Sequence, residues 1–109
     1  MPEDTPLLNT LAVMTAASVD ACDLDERELM LARIAALVAV GAPAASYLLN
    51  VGTAVDLGIT LEDVEGVLIA VAPIVGTVRT MSAAGNIARA LGFAIAVMEA
   101  EAELDAEDD

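Results

Sequence analysis

The polar side chains best suited to chemistry lie in one short, otherwise apolar stretch, Pro43 to Gly58, where Ser46 is followed four positions later by Asn50. An asparagine amide can orient a carbonyl or a carboxylate, but it neither takes nor gives a proton near neutral pH. A serine hydroxyl without a neighbouring base is a poor nucleophile. The stretch therefore predicts ligand binding at Ser46 and Asn50 rather than catalysis.

Arg79 and Gly66 complete the set of candidate ligand-binding residues. Arg79 follows a glycine break and could hold a carboxylate; the alternative is an ion pair with one of the 18 acidic residues, across a subunit interface. Gly66 lies inside a predicted helix, where glycine costs about 1 kcal/mol relative to alanine, so we expect it to admit a neighbouring helix or a ligand. For Asn50 the alternative is a core or interface side chain bonded to the backbone.

Several kinds of chemistry are disfavoured by composition. The chain has no histidine, and Cys22 is its only cysteine, so neither a zinc-type metal site nor a disulfide framework is predicted. No loop has the ligand spacing that Mg²⁺ or Ca²⁺ requires, no two carboxylates stand out as an acid and base pair, and we expect no cofactor. Asn50 and Arg79 remain the only catalytic candidates, and Cys22 is expected to be an inert thiol.

The apolar content is high for a single small domain. Of the 109 residues, 58% are hydrophobic, against about 45–50% in an ordinary domain, and the excess must enter a membrane, a subunit interface or a ligand cavity. The uncharged run Ile34 to Val55 is long enough to span a bilayer. It contains glycine, proline and asparagine, however, and only Arg33 flanks it, so a positive-inside signal is missing. We expect an obligate oligomer, not a membrane protein.

The charge distribution excludes nucleic acid as a partner. The net charge is −14, and the four arginines form no basic patch. Seven acids lie in Glu99 to Asp109, which predicts a folded domain over residues 1–98 and a solvated acidic tail over residues 99–109; a docking signal for a basic partner is the alternative. The first residues are acidic where a signal peptide would be basic, so a cytoplasmic location is expected.

Hydrophobic periodicity and capping residues predict an all-α domain of five helices. Asp25 with Glu28, and Thr60 with Asp63, are spaced as capping boxes that begin the second and fourth helices. The second helix is apolar nearly all round, which predicts burial on every side. The predicted elements are Leu7 to about Ala21, Asp25 to about Val40, Ala44 to Leu57, a helix from Thr60 that ends or kinks at Pro73 and Gly76, and a helix from Thr77 or Val78 that fades into the tail.

The segment from Leu24 to Leu91 resembles the carboxymuconolactone decarboxylase family, which includes the alkylhydroperoxidase D-like proteins. Three features carry the resemblance: the charged helix start after Leu24, the alanine–glycine spacing of Ala54 and Gly58 followed by Thr60 to Val64, and the glycine after an apolar helix at Gly76. The resemblance implies a bundle of about five helices and a homo-oligomer, often a trimer or a hexamer.

The resemblance also shows what is missing. The peroxidase branch carries C-x-x-C-x-x-x-H, whose cysteines fall at Pro43 and Ser46 and whose histidine falls at Asn50; a glutamate common in the following helix falls at Gly66. Thiol peroxidase activity is therefore not expected. We expect a non-redox, non-catalytic member that acts as an oligomeric scaffold or binds a small apolar or acidic metabolite. The alternative is a cofactor-independent decarboxylase or isomerase acting on a small carboxylate or lactone, with Asn50 and Arg79 positioning the carboxylate.

Overall fold

The computed structural model describes residues 5–108 and leaves out the side chains of Phe93, Met98 and residues 106–108. The described residues form five α-helices and contain no strand, which confirms the all-α class. The helices are α1 (Pro6–Ala21), α2 (Glu26–Val40), α3 (Ala44–Asp56), α4 (Leu61–Val75) and α5 (Thr77–Asp108).

Both predicted capping boxes are present. The Asp25 carboxylate accepts a hydrogen bond from the Glu28 backbone N–H at 2.8 Å, and Thr60 Oγ1 accepts one from the Asp63 backbone N–H at 3.1 Å. In each box the acidic side chain at the third helical position accepts in return from the N–H of the capping residue. Local sequence alone therefore fixes where α2 and α4 begin.

Asp63 also joins the starts of these two helices. Its Oδ2 lies 2.7 Å from Nη2 of Arg27 on α2. The hydrogen bond from the Thr60 backbone, followed by that from Arg27, lowers the pKa of Asp63 below its ordinary value. A depressed carboxyl pKa contributes stability above the unfolded-state value, and this contribution is lost as the pH falls through the folded-state value.

The helices pack out of sequence order. The most extensive contacts join α2 with α4 and α3 with α5. Small side chains on α5 let α3 approach closely, and Val38 is completely buried between the helices. The buried core cluster consists of Val38, Ala42, Tyr47, Ala83 and Ala90.

Less of the circumference of α2 is buried than its composition predicts. Met30, Ile34 and Val38 form a buried stripe at every fourth residue, whereas Val40 is 74% exposed. The expectation of burial all round was wrong, because the bundle of one chain covers only one side of this helix. The side that remains uncovered is apolar surface.

Two side chains of α5 bond the carbonyls at the end of α2 and in the following turn. Arg79 Nη1 donates to the Ala39 carbonyl at 2.9 Å, and Asn86 Nδ2 donates to the Ala42 carbonyl at 3.2 Å. The last carbonyls of a helix have no partner within it, so such donors stabilise its end. The turn between α2 and α3 is thus held by residues about 40 positions later in the chain.

The first helix contributes no buried residue, although it is largely apolar. Leu7, Leu8, Val13 and Met14 are exposed, and α1 makes few contacts with the other helices. The radius of gyration is accordingly 16.0 Å, against about 13 Å for a compact domain of this length. A single copy of the chain therefore does not cover its own apolar surface.

The fifth helix extends further than the sequence predicts. It continues through the acidic segment to Asp108 instead of fading within it, and residues 99–105 are exposed. Its 32 residues correspond to a rod about 48 Å long. Judged on length and composition only, the part Thr77–Asp105 could cross a membrane, and 12% of its most apolar window is buried in the bundle. A core helix of a non-membrane oligomer meets the same criteria.

Candidate functional site

Asn50 lies in a small apolar cavity of about 60 Å³, which we call the Asn50 cleft. Four helices form it, and Asn50 contributes an amide to an otherwise aliphatic and aromatic lining. Its other lining residues are Ile34 and Leu37 on α2, Tyr47, Val51 and Ala54 on α3, Val64 on α4 and Ile87 on α5. A cavity of this size would take only a very small apolar molecule, since ligand pockets usually measure about 300–1,000 Å³.

The structure links Asn50 directly to Ser46. Asn50 Nδ2 donates a hydrogen bond to the Ser46 carbonyl at 2.9 Å, one helical turn earlier. The side-chain amide is therefore bonded to the backbone, as expected for the alternative in which Asn50 is a core or interface residue. Its Oδ1 accepts no hydrogen bond from a described residue, so this oxygen is the atom of Asn50 that remains for a ligand.

Tyr47 is the residue of the cleft that sequence reasoning missed. Its side chain is only 5% exposed, and its hydroxyl has no hydrogen-bond partner among the described residues. Burial also raises the pKa of this hydroxyl. Leaving a buried donor unpaired costs about 1–3 kcal/mol. The signal in the sequence was its spacing of three residues from Asn50, which places both side chains on one helical face.

Arg79 lies elsewhere and has a different partner. Its guanidinium bonds the Ala39 carbonyl and faces an open groove of about 730 Å³ at the junction of α2, α4 and α5. Arg79 lines neither the Asn50 cleft nor a second, larger cleft of about 580 Å³ that lies between α1 and the bundle. The structure therefore does not bring Arg79 together with Asn50, and the contact it shows for Arg79 is with a helix end instead of an acid.

Gly66 also lies away from the cleft. It is exposed in the middle of α4, and a Cβ atom built on it would meet no atom within 4 Å. No helix of the same chain thus approaches Gly66 closely. Cys22 is a half-buried free thiol just after α1. Among the side chains that the structure describes, no three acidic, histidine or cysteine groups converge as metal ligands would.

Because Arg79 bonds a carbonyl at the end of α2, its replacement should change the stability of the protein. Arg79→Ala should lower the free energy of unfolding by about 0.5–1 kcal/mol, since a cation at the C-terminal end of a helix is stabilising by that amount. Arg79→Lys keeps the charge and should retain most of the stability. Urea unfolding of the three proteins measures the difference. Equal midpoints for wild type and Arg79→Ala would show that the guanidinium does not support the end of α2.

Neither a protein-family model, nor a curated protein, nor a solved structure matches this chain.

Proposed function

We propose that this protein works as a homo-oligomeric, non-redox and non-catalytic scaffold. The observation that carries the proposal is the amount of apolar surface that a single copy leaves uncovered. Its accessible surface is 7624 Å², which exceeds by about 1,900 Å² the roughly 5,700 Å² of a compact monomer of this mass. A standard interface removes about 800 Å² from each partner. This excess is of total surface and includes the exposed acidic end of α5, so it supports at least one such contact per chain.

Exposed apolar residues occur on every helix, and two groups of them are considered as contact surfaces. One is α1 itself. The other, which we call the junction surface, lies where α2 ends and α5 begins and includes Val40, Ile74 and Val78, the last two 90% and 85% exposed. Two different surfaces per chain allow an assembly larger than a dimer, which supports the trimer or hexamer implied by the family resemblance.

The alternative function, decarboxylation or isomerisation of a small carboxylate or lactone, has weaker support. It requires Asn50 and Arg79 to hold one substrate, yet Arg79 lines the junction groove and Asn50 lines the cleft. The Asn50 cleft contains no cation for a carboxylate. Asn50 also lines the larger cleft beside α1 together with Arg33, but neither residue is suited to proton transfer near neutral pH.

Binding of a small molecule in the Asn50 cleft is a second candidate function. The apolar lining favours it, although the cavity of about 60 Å³ admits only a very small molecule and the Tyr47 hydroxyl is itself buried beneath the cavity surface. A neutral, mainly apolar metabolite fits this lining better than an acidic one. Scaffold and binding functions are compatible in one oligomer.

The mass of the protein in solution tests the proposal. At micromolar concentration and without detergent, we expect light scattering and native mass spectrometry to give a multiple of 11.1 kDa, three or six copies being the expected numbers. A monodisperse species of one copy would contradict the proposal. Assembly only in the presence of detergent or lipid would contradict it in favour of a membrane role.

A further inference from the structure

The first helix is attached to its own chain by little more than its connection to α2. None of its side chains is buried, and the one hydrogen bond described between it and the bundle runs from Arg33 Nη2 to the Thr15 carbonyl at 3.4 Å. A helix of sixteen residues held only in this way would be marginal in water. Its apolar side chains need a partner that one copy of the chain does not supply.

A cleft of about 580 Å³ separates α1 from the bundle. We call it the α1 cleft; Met14, Thr15 and Ser18 line its α1 side, and Arg33, Ala36, Leu37, Leu49 and Asn50 line its opposite side. Leu49 is 85% exposed there. The cleft is open to solvent and has a mixed lining, in which Met14, Leu37 and Leu49 are the large apolar side chains. Covering these apolar side chains would be favourable.

We propose that the first helix of a second copy of this chain occupies the α1 cleft, and that the contact is reciprocal. Leu11 and Met14 of each copy then pack against Leu37 and Leu49 of the other. The inference rests on the proposed function, since it names the surface through which two copies of the scaffold meet. In this arrangement the α1 cleft, which Asn50 helps to line, is closed only when two copies assemble.

The residue pattern of α1 favours another helix as its partner. Leu7, Leu11, Met14, Ser18 and Ala21 are separated alternately by four and three residues, which is the spacing of a seam between two helices. The small residues at the end of the seam permit close approach.

Charge favours a second copy over a lipid surface. Between Pro6 and Ala21 the only charged side chain is Asp20, so two α1 helices can meet without the repulsion expected elsewhere in this acidic chain. Anionic membranes attract lysine and arginine, and α1 has neither. Its sixteen residues extend about 24 Å, short of the roughly 30 Å of a bilayer core.

Charged substitutions on α1 test the proposal in the full-length chain. The double variant Leu11→Glu/Met14→Glu should weaken the contact between copies by at least about 100-fold, because both carboxylates would be desolvated in it. The matched control, Ile95→Glu/Leu104→Glu, adds the same charge at exposed positions of α5 and should not change the assembly. Light scattering over a concentration series measures the effect, and circular dichroism checks that the bundle stays helical.

Mixed disulfide formation gives an independent readout that does not depend on a destabilising change. In a Cys22→Ser background, one chain carries Met14→Cys and a differently tagged chain carries Leu49→Cys. Oxidation of the mixture should produce a covalent heterodimer, whereas pairing Met14→Cys with Leu104→Cys should not.

The outcomes separate this inference from the proposed function. If the wild type is an oligomer but Leu11→Glu/Met14→Glu has the same mass and no mixed disulfide forms, the α1 contact is wrong while the scaffold proposal stands. If the wild type is a monomer at every concentration, both are wrong. Flotation of the wild type with phosphatidylcholine vesicles, abolished by Leu11→Glu/Met14→Glu, would overturn the inference by identifying lipid as the partner of α1.

Discussion

Tyr47→Ala should lower the free energy of unfolding by about 3–5 kcal/mol, the largest effect that we expect from a single truncation in this protein. Tyr47 is the largest member of the buried core cluster, whose other members are one valine and three alanines. Truncation would leave a cavity that these small neighbours cannot fill. Urea unfolding followed by circular dichroism measures the change.

Tyr47→Phe is the matched control, and it isolates the hydroxyl. Because that hydroxyl has no partner among the described residues, its removal should leave stability unchanged or raise it by about 1 kcal/mol. A loss of more than 1 kcal/mol on Tyr47→Phe would show that the hydroxyl is paired in solution, for example with a water in the Asn50 cleft. The cleft would then be polar instead of apolar, and the preference for an apolar ligand would be wrong.

Gly76→Ala should lower the free energy of unfolding by about 2–3 kcal/mol. Gly76 ends α4 with φ 97° and ψ 158°, a conformation that is essentially restricted to glycine. A Cβ there would meet no neighbouring atom, so the expected loss comes from the backbone and not from a clash. Strain at this residue would also disturb the start of α5, and hence its contact with the end of α2.

Gly66→Ala is the control for this substitution and should have the opposite sign. Gly66 lies within α4 in ordinary helical geometry with open space around it, so alanine should raise stability by about 0.5–1 kcal/mol. Chemical denaturation of both variants compares the two effects. If Gly66→Ala instead reduced the mass of the assembly, Gly66 would lie against a second copy, as the sequence-based expectation of a close neighbour allows.

Helix positions were predictable because the signals that set them are local. The side chains of Asp25 and Thr60 bond backbone groups three residues away, and the glycine breaks act through their own backbone conformation. Such interactions are encoded in a few consecutive residues. For the same reason the link between Ser46 and Asn50, one helical turn apart, lay within reach of sequence reasoning.

The expectations that differed from the structure all depended on which helices pack against one another. The side of α2 that stays exposed is decided by how α4 and α3 pack, and the contact of Arg79 with the Ala39 carbonyl joins residues 40 positions apart. No local pattern specifies either one. The unpaired hydroxyl of Tyr47 is likewise a property of the side chains around it and not of its own position in α3.

The interleaved order of the helices has a consequence for how the chain folds. Because α2 packs most extensively on α4, and α3 on α5, neither consecutive pair α2–α3 nor α4–α5 contains the main contacts of the core. Each main contact must close a long loop before it gains stability, which raises the contact order and slows folding relative to a bundle of consecutive hairpins. During synthesis, the buried core cluster therefore cannot be completed until the part of α5 that contains Ala83 and Ala90 has left the ribosome.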